Sequence, residues 1–436
     1  MRRVGAAGVA GALSVALAIA ACTAQGPAPD RARAHLVWTR VELPGGAEPV
    51  ALATAGRTLL VGGDRSGQTP TMDVLTAGPS GEPSAFHSLD ITCDPGSPYA
   101  PLARWRSITL RGQAVTAIGG AAGGAHSNTR WTTWAGELDG DAAGTLRERP
   151  QSFYAFGGYG AGELLDAVAT DAGTYLVGTW NGTTGLDAAV WHEQGLRWVR
   201  AKSAGSALAS TPTSLVGAVA ATSNGPGILI LGNVTWLGGA VAEGASGGAT
   251  GDEDAGGPGT VAGAARRTAA VWRSSHGATG WQRVDLPGGG SGSEARSATC
   301  GLDGCVVAGV VDGRYALWWL PKDGPASRLE GVPTVAVGDH DSVPAPVRSG
   351  AEHVWPGADL LFTVGDVVGS RAGGVWTTSP SSGQGHEAAA VGQWLYVIAA
   401  RGRAVDAQVP TARAAFSGNG GLDPTAALWR GRMVRS

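Results

Sequence analysis

Two short phrases occur twice in this chain, and their placement constrains the fold more than any other feature. Residues 268–273 (TAAVWR) and 281–289 (WQRVDLPGG) follow one another in mid-sequence. The second phrase is matched at 38–46 (WTRVELPGG) and the first at 425–430 (TAALWR), six residues before the end. In the middle the two read as neighbouring strands of a hairpin; at the ends they stand nearly the whole chain apart. A closed ring of sheets satisfies both facts. The N-terminal strand then completes the sheet that the C-terminal strand leaves unfinished, so no edge stays open.

A unit recurs between these ends: an alternating strand of small and apolar residues, an apolar strand ending in glycine, a loop, and a strand of the AAVW type. The last appears at 72–77 (MDVLTA), 131–136 (WTTWAG), 187–192 (DAAVWH), 268–273, 315–320 (YALWWL), 372–377 (AGGVWT) and 425–430. The mean spacing, about 59 residues, suits a four-stranded blade with its loops. Glycine, 72 of 436 residues, shows no collagen period and falls between short apolar runs, as turn residues do. The expectation is an all-β chain forming a single seven-bladed β-propeller over 37–436, its ring closed by pairing of the N-terminal and C-terminal strands. Trp191, Trp272, Trp319, Trp376 and Trp429 recur at one repeat position and are read as packing between blades. Residues 238–267, mostly Gly, Ala, Ser and Thr around an acidic knot at 252–254, have nothing to bury and read as a disordered loop insertion. The knot lacks the spacing of a calcium loop, and no metal or other cofactor is expected.

A formal net charge of −3 leaves no basic footprint, so nucleic acid is excluded as a partner. Arg2 and Arg3 precede an apolar run that ends at Ile19-Ala20-Ala21-Cys22. This resembles the bacterial lipoprotein signal, and Lys202 and Lys322 as the only lysines resemble actinobacterial coding bias. The resemblance implies a signal peptide at 1–21, lipidation of Cys22, and a flexible tether at 22–36. It would hold a monomeric propeller at the outer face of the cytoplasmic membrane, facing an unknown envelope protein or glycan. Cys300 and Cys305 bracket a four-residue turn and are expected to form a disulfide in that oxidising compartment, with Cys93 left over.

Residues 274–281 (SSHGATGW) resemble a degenerate Asp-box, the S-x-D-x-G-x-T-W turn of sialidase-like propellers. Ser274 and Trp281 match, while His276 stands in place of the aspartate. The chain is thus similar to the broad WD40/YVTN/BNR-like propeller superfamily, in which that turn is structural. Sialidases of this kind also carry an Arg-Ile-Pro motif and an arginine triad, and neither is found here. Arg106 and Arg296 fall on expected innermost strands and are candidates for binding an anion in the channel, or for pairing with acids such as Glu294 or Glu387. Trp180 and Trp236 lie outside the repeated tryptophan position and, with Tyr154 and Glu387, are candidate ligand contacts on the face where outer-to-inner loops converge. No nucleophile elbow, phosphate loop or metalloprotease motif is present, and no catalytic residue is assigned. The reading favours a non-enzymatic protein- or glycan-binding scaffold, with a glycan-cleaving propeller enzyme as the alternative.

Overall fold

The computed structural model describes residues 35–65, 67–123, 129–140, 143–158, 160–238, 265–290, 292–332, 334, 336–338, 341–349, 352–356, 360–364, 372–377, 383–401 and 426–434. Within these, the backbone alone is described at 35–37, 349–386, 400–401 and 433–434. The signal, Cys22, the tether up to residue 34 and residues 239–264 of the expected loop insertion lie outside the described residues. Among the described residues no helix is long and apolar enough to cross a membrane.

The protein is a β-propeller. Six sheets share one plan, in which successive antiparallel strands run outward from the axis and the AAVW-type strand is third. Blade 1 spans 48–88, blade 2 spans 104–148, blade 3 spans 161–200, blade 4 spans 214–285 and blade 5 spans 293–328. Blade 6 takes its first three strands from 383–434 and its fourth from His35–Val41. That fourth strand pairs antiparallel with Ala427–Val434, Thr39 opposite Arg430 and Val41 opposite Leu428, so the two ends of the chain close one blade between them. Blade 2 carries a fifth strand, Asp90–Thr92, laid parallel on its outer edge.

The expected seven blades are corrected to six. A further sheet at 347–377 departs from the common plan: its strands hold three, five, five and six residues. Residues 372–377, whose AGGVWT imitates a third strand, form its fourth and outermost strand. Val347 of this sheet packs against Leu395 and Val397 of blade 6, and Thr299 of blade 5 donates to the Pro346 carbonyl, so the short sheet stands between those two blades.

The innermost strands reveal why the sequence repeats as it does. In each of the six blades this strand carries an extra residue relative to its neighbour, a β-bulge, at Val50, Arg106, Leu165, Val219, Arg296 and His386, and blade 3 has a second shift between Ala161 and Leu164. The innermost pairing of the short sheet, 347–349 with 352–354, shows no such shift. A bulge turns the strand and brings its carbonyl against the partner. A Cβ placed on Gly178, Gly232 or Gly309 would fall on the carbonyl oxygens of Glu163, Gly217 or Glu294. In blades 3, 4 and 5 the glycine of the second strand is therefore the counterpart of the bulge opposite it, whereas blade 6 has Ala399 there. The inner hairpins turn on Gly56, Gly112, Gly225 and Gly392, all at φ between 58° and 60°, which L side chains adopt only with strain.

Apolar clusters fill the seams. Leu60, Met72 and Val74 of blade 1 meet Trp105, Ile108 and Trp134 of blade 2. Trp191 lies in the seam between blades 2 and 3, and Trp272 in that between blades 3 and 4, the role their repeated position suggests. Cys300 and Cys305 face each other across the blade 5 inner hairpin and are bonded, with Cα atoms 4.0 Å apart.

Candidate functional site

Outer-to-inner connections and second-to-third-strand loops converge on one face of the ring, and that face carries the candidates. Trp180 and Trp236 end the second strands of blades 3 and 4. Both are packed. The Arg200 guanidinium, from the outermost strand of blade 3, lies 4.6 Å from the Trp180 ring, whose other neighbour is the edge of Trp191 at 6.1 Å. Burial lowers the Arg200 pKa against the opposing pull of Asp187. Arg283 covers Trp236 at 5.1 Å, and the Trp236 indole N–H donates to Thr268 Oγ1 at 3.0 Å. These tryptophans bind their own sheets together through cation–π stacking.

Arg296 is likewise committed. Its Nε donates to Glu294 at 2.8 Å and its Nη1 to the Asp341 carbonyl at 2.8 Å, fixing the segment that follows blade 5. Arg106 occupies the bulge of the blade 2 inner strand and is half-buried. Glu387 follows the bulge of blade 6, and its carboxyl accepts the Leu52 N–H of blade 1 at 2.9 Å. Burial, opposed by that hydrogen bond and reinforced by the charge of Asp166, raises its pKa to about 8. Asp166, the matching residue of blade 3, accepts the Ala221 N–H of blade 4 at 2.6 Å. Sequence reading passed over Asp166, although an acid amid the alternating run ELLDAVAT is a visible signal.

Tyr154 leads to a different place. It belongs to a one-turn helix, Phe153–Phe156, in the connection from blade 2 to blade 3. Phe156 is buried against Trp191, ring centroids 5.8 Å apart, and the Trp191 indole N–H donates to the Ala155 carbonyl at 3.0 Å. Gln151 pins the approach to this turn, accepting the Trp198 N–H and donating to the Leu196 carbonyl, both at 3.0 Å. The turn is held by its inner residues, and its outer ones project: Phe153 is 50% and Tyr154 79% exposed.

Beside this aromatic lip opens a cleft of about 290 Å³, lined by Tyr99, Arg130, Trp131, Glu148, Arg149 and Phe153 among others. The Arg130 guanidinium lies 4.9 Å from the Phe153 ring. Arg149 Nε is buried and has no hydrogen-bond partner among the described residues. Glu148 is spent on structure, its two oxygens accepting from Asp94 N–H at 2.9 Å and Ser97 Oγ at 2.8 Å. Asp94 accepts the Gly96 N–H at 2.8 Å. The Cys93 thiol is pushed up by burial and by the Glu148 charge, away from the thiolate that a nucleophile requires. Three segments distant in sequence, 94–99, 129–133 and 148–157, thus build a rigid aromatic pocket with two arginines.

No family model and no curated protein matches the chain. Solved structures do resemble it. One is the β-propeller domain of the Trilobed protease from Pyrococcus furiosus, at 7% identity and TM-score 0.41, covering 81% of this chain and 92% of that one. A phage phi92 endosialidase aligns at 11% identity and TM-score 0.40, over 92% of this chain and 69% of that one. A puromycin hydrolase mutant aligns at 12% identity and TM-score 0.42, over 82% of this chain and 50% of that one. No activity is carried over from any of them.

The Asp-box-like turn points away from all this. Ser274 Oγ accepts the Ile228 N–H at 2.7 Å, and the Trp281 indole N–H donates to the Ala278 carbonyl at 2.9 Å, tying the link between the third and fourth strands of blade 4. His276 is exposed in the turn. Among the described residues no three His, Cys, Asp or Glu side chains gather as metal ligands.

Proposed function

We propose that this protein is a non-enzymatic binding propeller that captures a segment of an envelope glycan or protein in the aromatic cleft on blade 2, between the connections that enter and leave that blade. The observation that carries this reading is the exposed Phe153–Tyr154 pair, held over a preformed 290 Å³ cleft by a buried anchor. Exposed aromatic area on a rigid support binds with little ordering cost. Arg130 and Arg149 favour a partner with negative charge at the contact. On the same reading Cys22 is lipidated and tethers the ring outside the cytoplasmic membrane, in keeping with the Cys300–Cys305 disulfide.

A second reading, glycosidic-bond cleavage, draws on Glu387 and Asp166. A carboxyl with a raised pKa interacting with a charged carboxylate has the pattern of an acid paired with a base or nucleophile. Both groups are bonded to the backbone of the neighbouring blade, which favours binding over cleavage. Immobilised protein and its Phe153→Ser/Tyr154→Ser variant, offered envelope extracts and a glycan array, decide between them. The binding reading expects capture to fall at least tenfold in the variant, with melting unchanged and no chromogenic glycoside turned over. Turnover that disappears in Glu387→Gln would select the enzyme.

A further inference from the structure

Strand direction gives the ring two different faces, and the chain enters and leaves it on the same one. The inner hairpins turn together, as the contacts between neighbouring turns show. Arg111 of blade 2 donates to the Asp171 carbonyl of blade 3 at 3.1 Å, and the Asp171 N–H donates to the Gly225 carbonyl of blade 4 at 3.1 Å. Gln393, in the inner turn of blade 6, donates at 3.0 Å to Glu82, in the turn between the third and fourth strands of blade 1. The closing strand starts on this hairpin face. His35 lies opposite Val434, and in the next pairing Arg432 lies opposite Trp394, beside the turn at Gly392. From there the strand runs to Val41, opposite Leu428, and delivers the chain to the other face.

The cleft belongs to that other face. Thr129, which begins the third strand of blade 2, lies opposite Ala122 at the end of the second, and the connection that carries Phe153 and Tyr154 leads to Ala161, opposite Trp180. Leu186 is on the same side, opposite Asn181 where the second and third strands of blade 3 are joined. The hairpin face instead carries apolar tips on tight turns. Leu302, 89% exposed, tops the disulfide-bonded turn of blade 5, which is closed by the Gly301 N–H on the Gly304 carbonyl at 2.8 Å and braced by the Lys322 N–H on the Asp303 carbonyl at 2.9 Å. Leu196, 66% exposed, tops the turn between the third and fourth strands of blade 3.

Chain length limits how the ring can turn on its anchor. Residues 23–34 separate Cys22 from His35. A chain of that length spans at most about 40 Å fully extended and averages about 20 Å as a flexible coil. The strand Trp394–Arg401 of blade 6 has eight residues and rises about 25 Å from one face to the other. Carrying Cys22 around the rim would therefore consume nearly the whole extended length, whereas on the hairpin face it needs almost none.

We propose that the hairpin face is a docking surface for lipid: it rests on the membrane with Leu302 and Leu196 entering the headgroup layer, and the cleft opens away from the bilayer. This rests on the reading of Cys22 as the lipidated residue. Apolar tips on turns already held by a disulfide and backbone hydrogen bonds add contact to the acyl anchor without a further ordering cost.

The test uses the lipidated full chain, purified from its own membrane and reconstituted into phosphatidylcholine and phosphatidylglycerol vesicles that carry a headgroup-nitroxide lipid. A dye is attached through a bioorthogonal side chain at position 302, 196, 154 or 186 in turn, and its quenching by the nitroxide is measured. Dyes at 302 and 196 should be quenched about threefold or more over those at 154 and 186. Leu302→Asp, at an exposed turn, should leave melting unchanged and cut the quenching at 196 by about half or more. Equal quenching at all four positions, or a Leu302→Asp protein quenched at 196 like the parent, overturns the proposal. A chain that its own membrane does not retain overturns the lipid reading of Cys22 and the orientation with it; a retained chain with the reverse ranking overturns the orientation alone.

Discussion

Glu387 shows how one side chain can serve the ring and still be set against its own surroundings. It braces blade 6 against the Leu52 N–H of blade 1, yet burial holds its pKa near 8, where an ordinary carboxyl titrates near 4.5. A folded pKa raised above the unfolded one means that stability from this group is complete below about pH 4.5 and is lost as pH rises through about 8. The loss is on the order of a few kcal/mol, reduced by the contact this half-buried group keeps with solvent. Glu387→Gln should therefore melt above the parent at pH 9 and show a flatter profile between pH 5 and 9; an identical pH profile in the two proteins contradicts the account. At this scale the sequence was partly legible. Arg106 and Arg296 were placed on innermost strands from pattern alone, and both lie at bulges, whereas Glu387, read as a contact on the loop face, follows the bulge of the blade 6 innermost strand. Trp180 and Trp236, read as candidate ligand contacts, carry stacked arginines that come from outermost strands, 20 and 47 residues onward, and no local pattern announces a cross-sheet stack.

Among elements, the closing strand carries the most consequence. His35–Val41 lies beside Ala427–Val434 in full register, and Leu428 is wholly buried among Leu52, Leu59 and Ile398 at the seam. Leu428→Ala removes apolar contact from both closing blades and should cost about 2–5 kcal/mol, read as a lower urea midpoint. Removing residues 426–436 exposes the edge of the strand Trp394–Arg401 and should lower melting temperature and solubility together. A truncated protein that melts like the intact one would mean that closure does not hold the ring. This element was legible because its phrases are copied intact within blade 4, where they are neighbours in sequence. The blade count was not. AGGVWT has the composition of a third strand, and only pairing reveals it as the fourth strand of a shorter sheet without the inner bulge.

For the whole molecule, the ring acts as a frame that brings remote loops together on one face. The cleft on blade 2 is made from three segments that share no motif, which is why sequence analysis found Tyr154 beside it and missed Arg130, Arg149 and Tyr99 in its walls. Helix, linker and blade edge are fastened by Phe156, Gln151 and Glu148, so the exposed aromatics stand on a support that binding need not order. The channel at the axis is built differently, with its carboxylates bonded across blades. The most direct test of the central claim is hydrogen exchange on the protein with and without its captured envelope partner. Protection confined to 94–99, 129–133 and 148–157 is the predicted result; protection centred on the innermost strands 104–111 and 161–170, with the cleft unchanged, would contradict it.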